Sequence, residues 1–270
     1  MKTMLFCILF GLVLQTNAAD NFAKGKLIAW CIVPFDVKQR GPAARAEMLK
    51  HLGLKRVAYD WRAKHVKEFE EEILQYKNHG LEFFAFWSAH EEAFRLFEKH
   101  KIHPQIWKTL PSLKAGSQES REAAAAKAML PLVKRTKKLG CKLGLYNHGG
   151  WGGEPENLVA VCEYLRKHHG AKHVGIVYNF HHGHGHIADF EKSLRLMKPF
   201  LHCLNLNGMN DGAKPKILQL GRGQHEAAMI ATLRKVGYTG PIGILDHRTD
   251  TDTEVALREN LEGLQKILMP

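Results

Sequence analysis

The chain has 270 residues, of which 45% are hydrophobic and 24% are charged. This composition is ordinary for a globular protein with a sizeable core, and there is no low-complexity tract, Ser/Gly linker or long run of one charge that would divide the chain. The formal net charge of +12 is spread over helical segments such as residues 133–140 and forms no basic cluster interleaved with stacking aromatic side chains, so we expect no nucleic-acid partner.

The first predicted element is a secretory signal peptide over residues 1–19. Lys2 precedes an apolar block from Met4 to Leu14, and the stretch 16–19 ends in small residues. The block is too short to span a bilayer, and no later segment is long enough to be a transmembrane segment. We expect one mature domain over residues 20–270, exported to the periplasm or the extracellular space. A retained amphiphilic anchor is the alternative.

Eight apolar, β-rich runs then alternate with helical patterns. The runs cover 27–35, 55–61, 81–87, 104–110, 142–147, 174–180, 201–207 and 241–247. Most are continuously apolar, which is typical of parallel strands buried on both faces. Eight strand–helix pairs predict an α/β fold, a single-domain (β/α)8 TIM barrel. An open doubly wound sheet is the alternative. That fold would usually show a glycine-rich phosphate loop after the first strand, and residues 31–42 are not such a loop.

Four cysteines remain once Cys7 has left with the signal peptide: Cys31, Cys141, Cys162 and Cys203. An even number in an exported chain permits disulfides. Three of them lie in or beside strand-like runs and Cys162 lies on a helix face, which favours buried free thiols.

Polar and aromatic side chains collect at the carboxyl ends of the predicted strands, which meet at one mouth of a TIM barrel. Imidazoles, amides and aromatic rings dominate there and carboxylates are few. Amides hydrogen-bond hydroxyl groups in pairs and tryptophan faces stack on sugar rings, so we predict a small-molecule carbohydrate as the ligand. The predicted binding residues are Asn147, Asn179, Asn205, His247, Trp61 and Trp87.

Three motifs in the second half resemble those of the xylose isomerase-like TIM barrel superfamily, also described as the sugar phosphate isomerase/epimerase family. "LGLYNHGG" (143–150) resembles the fifth-strand signature Glu-Asn-His-Gly, and "VYNFHHGH" (177–184) is similar to the sixth-strand pattern Asp-x-x-His. Residues 217–247 resemble the run from GxG through a helix to GYxGxxxxE. The resemblance covers nearly the whole mature chain and implies the barrel fold.

The resemblance also implies a cofactor, a divalent metal (Mn, Mg, Co or Zn) held at the barrel mouth. Its ligands in the family are Glu, Asp, His and Glu at the ends of the fifth to eighth strands. The implied chemistry is proton abstraction beside a carbonyl, or a hydride shift, that interconverts sugars.

The ligand positions of the family are substituted in this sequence. Tyr146, Asn179 and Asn205 stand at the first three, and the shorter Asp246 stands at the fourth. Neutral amide oxygens bind hard cations weakly and generally beside carboxylates, so we expect an altered or lost metal site. The remaining candidate ligands are Asp246 and His182.

Four histidines follow the sixth predicted strand. His182, like His148 after the fifth strand, matches the family pattern, in which its counterpart contacts substrate. We interpret His181, His184 and His186 as solvated loop residues or helix-start contacts, and we expect Gly183 and Gly185 to adopt positive φ angles.

Two hypotheses from different classes stay open. The first is an exported sugar isomerase or epimerase, or a related lyase, in which Asp246 moves a proton while His148 and His182 polarise or relay. The second is a non-catalytic carbohydrate-binding barrel derived from such an enzyme. A glycoside hydrolase is a third possibility that needs two carboxylates across a cleft. Asp246 and Asp60 are available for it, with Asp36 or Glu91 as further candidates.

Overall fold

The computed structural model describes residues 20–113 and 115–269. The predicted signal peptide over 1–19 therefore lies outside the described residues. Eight parallel strands close into a barrel in chain order, with the last strand paired to the first, which confirms the (β/α)8 prediction. Within the described part of the chain, no helix combines the length and the apolar character needed to cross a membrane.

The strands are β1 (Ile28–Trp30), β2 (Arg56–Asp60), β3 (Glu82–Trp87), β4 (Gln105–Thr109), β5 (Leu143–Tyr146), β6 (Val174–Asn179), β7 (Leu201–Leu206) and β8 (Ile242–Leu245). The α-helices are α1 (Pro42–Leu52), α2 (Phe69–Asn78), α3 (Glu91–His100), α4 (Gln118–Lys138), α5 (Pro155–His169), α6 (Phe190–Met197), α7 (Glu226–Lys235) and α8 (Thr253–Leu268). Each strand lies inside the run predicted for it.

The first run shows the largest difference between prediction and structure. Residues 27–35 are all apolar, yet β1 ends at Trp30. Cys31 has a φ of 60°, a left-handed conformation that ends extended pairing. The rest of the run therefore becomes a loop over the barrel mouth instead of a strand.

Two apolar layers hold the barrel together. The larger layer lies between the sheet and the helices, and a smaller cluster fills the barrel interior around Trp30, Trp107 and Tyr146. Glycines make room for these large rings: a Cβ added at Gly144 of β5 would lie 3.1 Å from Cδ1 of Trp107 and 2.4 Å from Val177. The interior is thus a packed core with one open end.

All four cysteines in the described chain are buried free thiols, as expected. Gly183 does not have the predicted positive φ; its φ is −99°. A Cβ there would lie 2.3 Å from the hydroxyl oxygen of Tyr178, so close approach, and not backbone conformation, favours glycine. Gly185 has no positive φ either.

Candidate active site

A small cavity of about 70 Å³ lies at the carboxyl end of the barrel interior. We call it the inner pocket. The ends of β1, β2, β3 and β5, together with loops that follow β1, β2, β5, β6 and β8, form its walls. Its lining residues are Trp30, Cys31, Phe35, Asp60, Arg62, Trp87, Tyr146, His148, His181, His182 and His247.

Aromatic rings contribute much of the wall. The Trp87 ring lies 4.6 Å from that of Tyr146 and the Trp30 ring 6.1 Å from it, centroid to centroid. Trp30 also packs edge-on against Trp107, at 4.8 Å, in the interior below. Edge-to-face packing of this kind is a favoured arrangement of aromatic rings and contributes to the stability of the wall.

The Tyr146 hydroxyl is the best-positioned hydrogen-bond donor of the inner pocket. The indole N–H of Trp30 donates to its oxygen at 3.3 Å, and the amide nitrogen of Asn179 donates to the same oxygen. The phenol oxygen accepts from both groups, so its own O–H is left to donate to a ligand. Burial raises the pKa of Tyr146 well above its ordinary value, and the phenol stays protonated.

Asp60 supplies the inner pocket with a carboxylate. Only 2% of the residue is exposed. One carboxylate oxygen accepts the backbone N–H of Val33 at 3.3 Å, while the other has no hydrogen-bond partner among the described residues. Burial raises the pKa of Asp60 to about 7, although the Val33 N–H and the Arg62 guanidinium act in the opposite direction. A carboxyl group with a free oxygen and a pKa near neutrality is suited to proton transfer.

Two histidines close the side of the inner pocket next to Tyr146. The rings of His148 and His182 lie 4.4 Å apart, and His182 lies edge-on to Tyr146 at 5.8 Å. Burial, with the neighbouring His148 as the next cause, lowers the pKa of His182 to about 3. His182 is therefore a neutral imidazole at physiological pH and can both donate and accept hydrogen bonds.

A third histidine, His181, lies next to His182 in the lining of the inner pocket. His181 is only 2% exposed and lies 3.6 Å from the His182 ring and 5.3 Å from that of His247, so the solvated-loop interpretation is wrong for it. It is buried because the short 3-10 helix Phe180–His182 turns its side chain toward the mouth. His247 in turn packs against Phe35 at 3.9 Å.

His184 and His186 lie outside the inner pocket. Nδ1 of His184 contacts the backbone oxygen of His181 at 3.1 Å. His186 bridges Glu154 at 2.8 Å and Asp189 at 3.2 Å. These two histidines therefore hold the loop after β6 in place.

Several other predicted site residues also lie behind the pocket wall. Both oxygens of Asp246 are used inside the β8–α8 loop: one accepts the backbone N–H groups of His247 and Arg248, and the other accepts the Thr253 hydroxyl at 2.8 Å. Burial raises the pKa of Asp246 to about 7. Asp246 orders the loop that carries His247 and does not itself line the inner pocket.

The asparagines and Trp61 have similar supporting positions. The Asn147 side chain joins β5 to β6 through both backbone groups of Asn179, at 2.7 and 3.1 Å. Asn205 is fully buried, and its side-chain oxygen lies 3.6 Å from the sulfur of Cys203. Trp61 turns away from the mouth and packs on Phe69. Of the predicted binding residues, the structure brings Trp87 and His247 into the pocket lining.

The four positions that hold the metal in the resemblance do not fit a divalent cation in this chain. Tyr146 and Asn179 are hydrogen-bonded to each other, Asn205 offers a neutral amide, and the oxygens of Asp246 are engaged. Across residues 20–113 and 115–269, no three His, Cys, Asp or Glu side chains form a group that could hold a metal ion. Hard cations need several oxygen ligands with net negative charge, which these residues do not supply.

The model of the xylose isomerase-like TIM barrel family matches residues 59–267. The chain belongs to this family. No curated protein matches the sequence of this xylose isomerase-like barrel.

Solved structures share the fold at low sequence identity. A 3-keto-D-glucoside 4-epimerase from E. coli has a TM-score of 0.66 at 14% identity over 90% of this chain and 100% of its own. A D-psicose 3-epimerase from Clostridium cellulolyticum H10, solved with D-tagatose, has a TM-score of 0.58 at 12% identity over 90% and 95%. A xylose isomerase-like TIM barrel protein from Mycobacterium smegmatis in complex with magnesium has a TM-score of 0.59 at 14% identity over 92% and 99%. At these identities the likeness shows the fold alone.

The pocket-lining residues from β1, β2 and the loops after them were not predicted as ligand-binding residues. Trp30, Cys31, Phe35 and Arg62 line the inner pocket, and Asp60 was named only as a carboxylate available to a glycoside hydrolase. Trp30, Cys31 and Phe35 belong to the apolar run over 27–35, which was predicted as one strand, because nothing in its composition indicates the turn at Cys31. Asp60 had a usable signal: it is the last residue of a strand whose other residues are mostly apolar.

Proposed function

We propose that this barrel acts on a carbohydrate or keto-sugar by moving a proton on the carbon next to a carbonyl group, as a sugar isomerase or epimerase does. Membership of the family and the shared fold of sugar epimerases support the reaction class. The observation that carries the proposal is the pairing, in one pocket, of a protonated phenol that can donate and a buried carboxylate with one free oxygen.

Asp60 is the base in this proposal. Its unpartnered oxygen takes the proton from the carbon beside the substrate carbonyl, and the carbonyl oxygen becomes the oxyanion of an enediolate. In an aldose–ketose isomerisation the same carboxyl group then returns the proton to the neighbouring carbon, the former hydroxyl carbon and carbonyl carbon having exchanged roles. A pKa of about 7 leaves a useful share of both protonation states near neutral pH.

Tyr146 stabilises the oxyanion by hydrogen bonding. The Trp30 and Asn179 donors fix the phenol oxygen, so the O–H can point to the charge that develops on the substrate. A preorganised donor of this kind supplies the stabilisation that a metal ion supplies in other enzymes of this reaction class. His148 and His182 relay the hydroxyl proton that an aldose–ketose interconversion must move between oxygens. Asp246 orders the loop that places His247 in the wall of the inner pocket.

Hydrogen exchange with solvent tests the proposal. The purified protein is incubated in D2O with a panel of aldoses, ketoses and keto-sugars, and deuterium incorporation next to the carbonyl is followed by NMR. We expect exchange in at least one sugar and its loss in Asp60→Asn, while Asp250→Asn, which alters an exposed carboxylate, retains it. Exchange in no sugar of the panel would refute the proposal.

A second candidate is a barrel that binds carbohydrate without catalysis. The observation that favours it is the presence of neutral side chains at three of the family's four ligand positions, two of which, Tyr146 and Asn179, are hydrogen-bonded to each other. Sugar binding by titration, combined with no deuterium exchange in any sugar of the panel, would identify this second function.

Export remains part of the proposal and rests on the charge and apolar pattern of residues 1–19. Sequencing the amino terminus of the protein secreted by its host tests it. We expect the mature chain to begin near Ala19 or Asp20, whereas a cytoplasmic protein that retains Met1 would contradict export.

A further inference from the structure

A second cavity opens directly beside the inner pocket. It has a volume of about 350 Å³, and we call it the outer pocket. Tyr146 and His148 belong to the walls of both cavities. The remaining wall of the outer pocket comes from the end of β4 and from the glycine loop after β5: Thr109, Leu110, Ser112, Gly149, Gly150 and Gly152.

The sizes of the two cavities restrict how a substrate can lie. Small-molecule sites occupy about 300 to 1,000 Å³, so the inner pocket at about 70 Å³ is too small to enclose a whole ligand. It has room for the carbonyl group and the adjacent carbon. The outer pocket at about 350 Å³ lies within the range of ligand sites and is placed to receive what the inner pocket leaves outside.

The chemistry of the outer pocket suits an uncharged, hydroxylated group. Thr109 and Ser112 contribute hydroxyls, His148 contributes an imidazole, and Gly149 and Gly150 expose bare backbone. Both glycines have positive φ angles of 79° and 62°, and a Cβ on either would meet nothing within 4 Å. Hydroxyl and backbone groups pair with sugar hydroxyls without a charged partner.

A third cavity, of about 340 Å³, also borders the inner pocket but differs in chemistry. It shares only Phe35 with the inner pocket. Charged groups line it, among them Asp36 and Arg40, which are ion-paired at 2.8 Å. None of the groups assigned to proton transfer reaches it, so it does not continue the reaction site.

From this geometry we infer that the substrate is a glycoside or disaccharide, with the reacting end of one sugar in the inner pocket and a second sugar unit in the outer pocket. The inference rests on the proposed function, because it assigns the substrate class of the same site. Tyr146 and His148 contact the substrate at the junction between the two units.

Binding measurements on matched sugars test this arrangement. Dissociation constants are measured by titration for three pairs: glucose and cellobiose, glucose and maltose, and xylose and xylobiose. We expect at least one disaccharide to bind about tenfold more tightly than its monosaccharide, which corresponds to about 1.4 kcal/mol. Ser112→Trp fills the outer pocket with an indole and is expected to bring that ratio close to one.

Thr249→Trp is the matched control, since it places the same ring on an exposed residue that lines the third cavity. It is expected to leave the ratio unchanged. The inference is overturned if no disaccharide binds more tightly than its monosaccharide, if the gain survives Ser112→Trp, or if Thr249→Trp removes it. Binding is measured without turnover, so these outcomes are independent of the deuterium exchange that tests the reaction.

Discussion

At the scale of single residues, Tyr146 is the substitution that most changes the chemistry of this site relative to the metal-ligand pattern of the family. The glutamate of the family pattern would bring a negative charge to the end of β5. The phenol instead brings a neutral donor, held by Trp30 and Asn179. Asn179, at the next ligand position, is used to hold the phenol. Two substitutions that look like losses in the sequence therefore form one hydrogen-bonded unit.

Removing the Tyr146 hydroxyl should slow the reaction without unfolding the protein. Loss of one oxyanion donor typically costs about 10²- to 10³-fold in rate, and we expect Tyr146→Phe to reduce deuterium exchange by that factor. Tyr164→Phe, which removes a hydroxyl from α5 away from the site, should leave the rate unchanged. Equal rates in wild type and Tyr146→Phe would show that the phenol is not the oxyanion donor.

The raised pKa of Asp60 predicts that the stability of the protein depends on pH. The folded state holds the Asp60 proton up to about pH 7, whereas an unfolded aspartate releases it near pH 3.9. Stability from this group is therefore fully present below about pH 4 and is lost as the pH rises to about 7. Chemical denaturation at several pH values should show this loss, on the order of a few kcal/mol.

Asp60→Asn isolates the contribution, because the amide oxygen can still accept the Val33 N–H. We expect the difference in free energy of unfolding between wild type and Asp60→Asn to change across this pH window. Asp250→Asn, which alters an exposed carboxylate, is measured beside it as the control for removing one acidic group. A flat difference for Asp60→Asn would mean that its carboxyl group ionises at the same pH in the folded and unfolded chain.

At the scale of elements, hydrophobic pattern predicts where strands lie but not which side chains enter the pocket. All eight strands fall inside the predicted runs, because continuous apolar runs are what parallel strands buried on both faces require. Entry to the pocket depends on short turns after the strands. The 3-10 helix after β6 turns His181 inward, and the loop after β8 uses Asp246 for its own hydrogen bonds. Neither turn has a periodicity that could be recognised in the sequence.

Strand β6 offers a test of the packing that shapes the barrel interior. A Cβ on Gly175 would lie 2.3 Å from the backbone oxygen of Phe200 and 2.5 Å from the His202 ring. Overpacking of this kind costs about 1 to 3 kcal/mol, so Gly175→Ala should lower the free energy of unfolding by that amount in chemical denaturation. Gly185→Ala, where a Cβ meets nothing within 4 Å, is the control and should be nearly neutral. Equal stabilities for the two variants would contradict the packing described here.

At the scale of the whole molecule, the fold was predictable and the arrangement of the site was only partly so. The number, spacing and apolar character of the runs predicted the closed barrel, since few folds accommodate eight alternating strand–helix pairs. His148, His182, Trp87 and His247, which were selected for their positions at or after strand ends, line the inner pocket. The proposed roles of Asp60 and Tyr146 depend on the burial of the Asp60 carboxyl group and on which groups donate to the Tyr146 oxygen. Both are set by contacts between residues far apart in the chain, so the sequence pattern could not predict them.

The central claim is that the Tyr146 phenol, in place of a metal ion, stabilises the oxyanion of the substrate in this barrel. Deuterium exchange by the metal-stripped protein tests this claim most directly. The protein is dialysed against a chelator, checked by elemental analysis, and assayed with the best sugar of the panel. We predict that the exchange rate is unchanged by chelation and by later addition of Mn, Mg, Co or Zn. Loss of exchange on chelation, followed by recovery with any one of these metals, would contradict the claim.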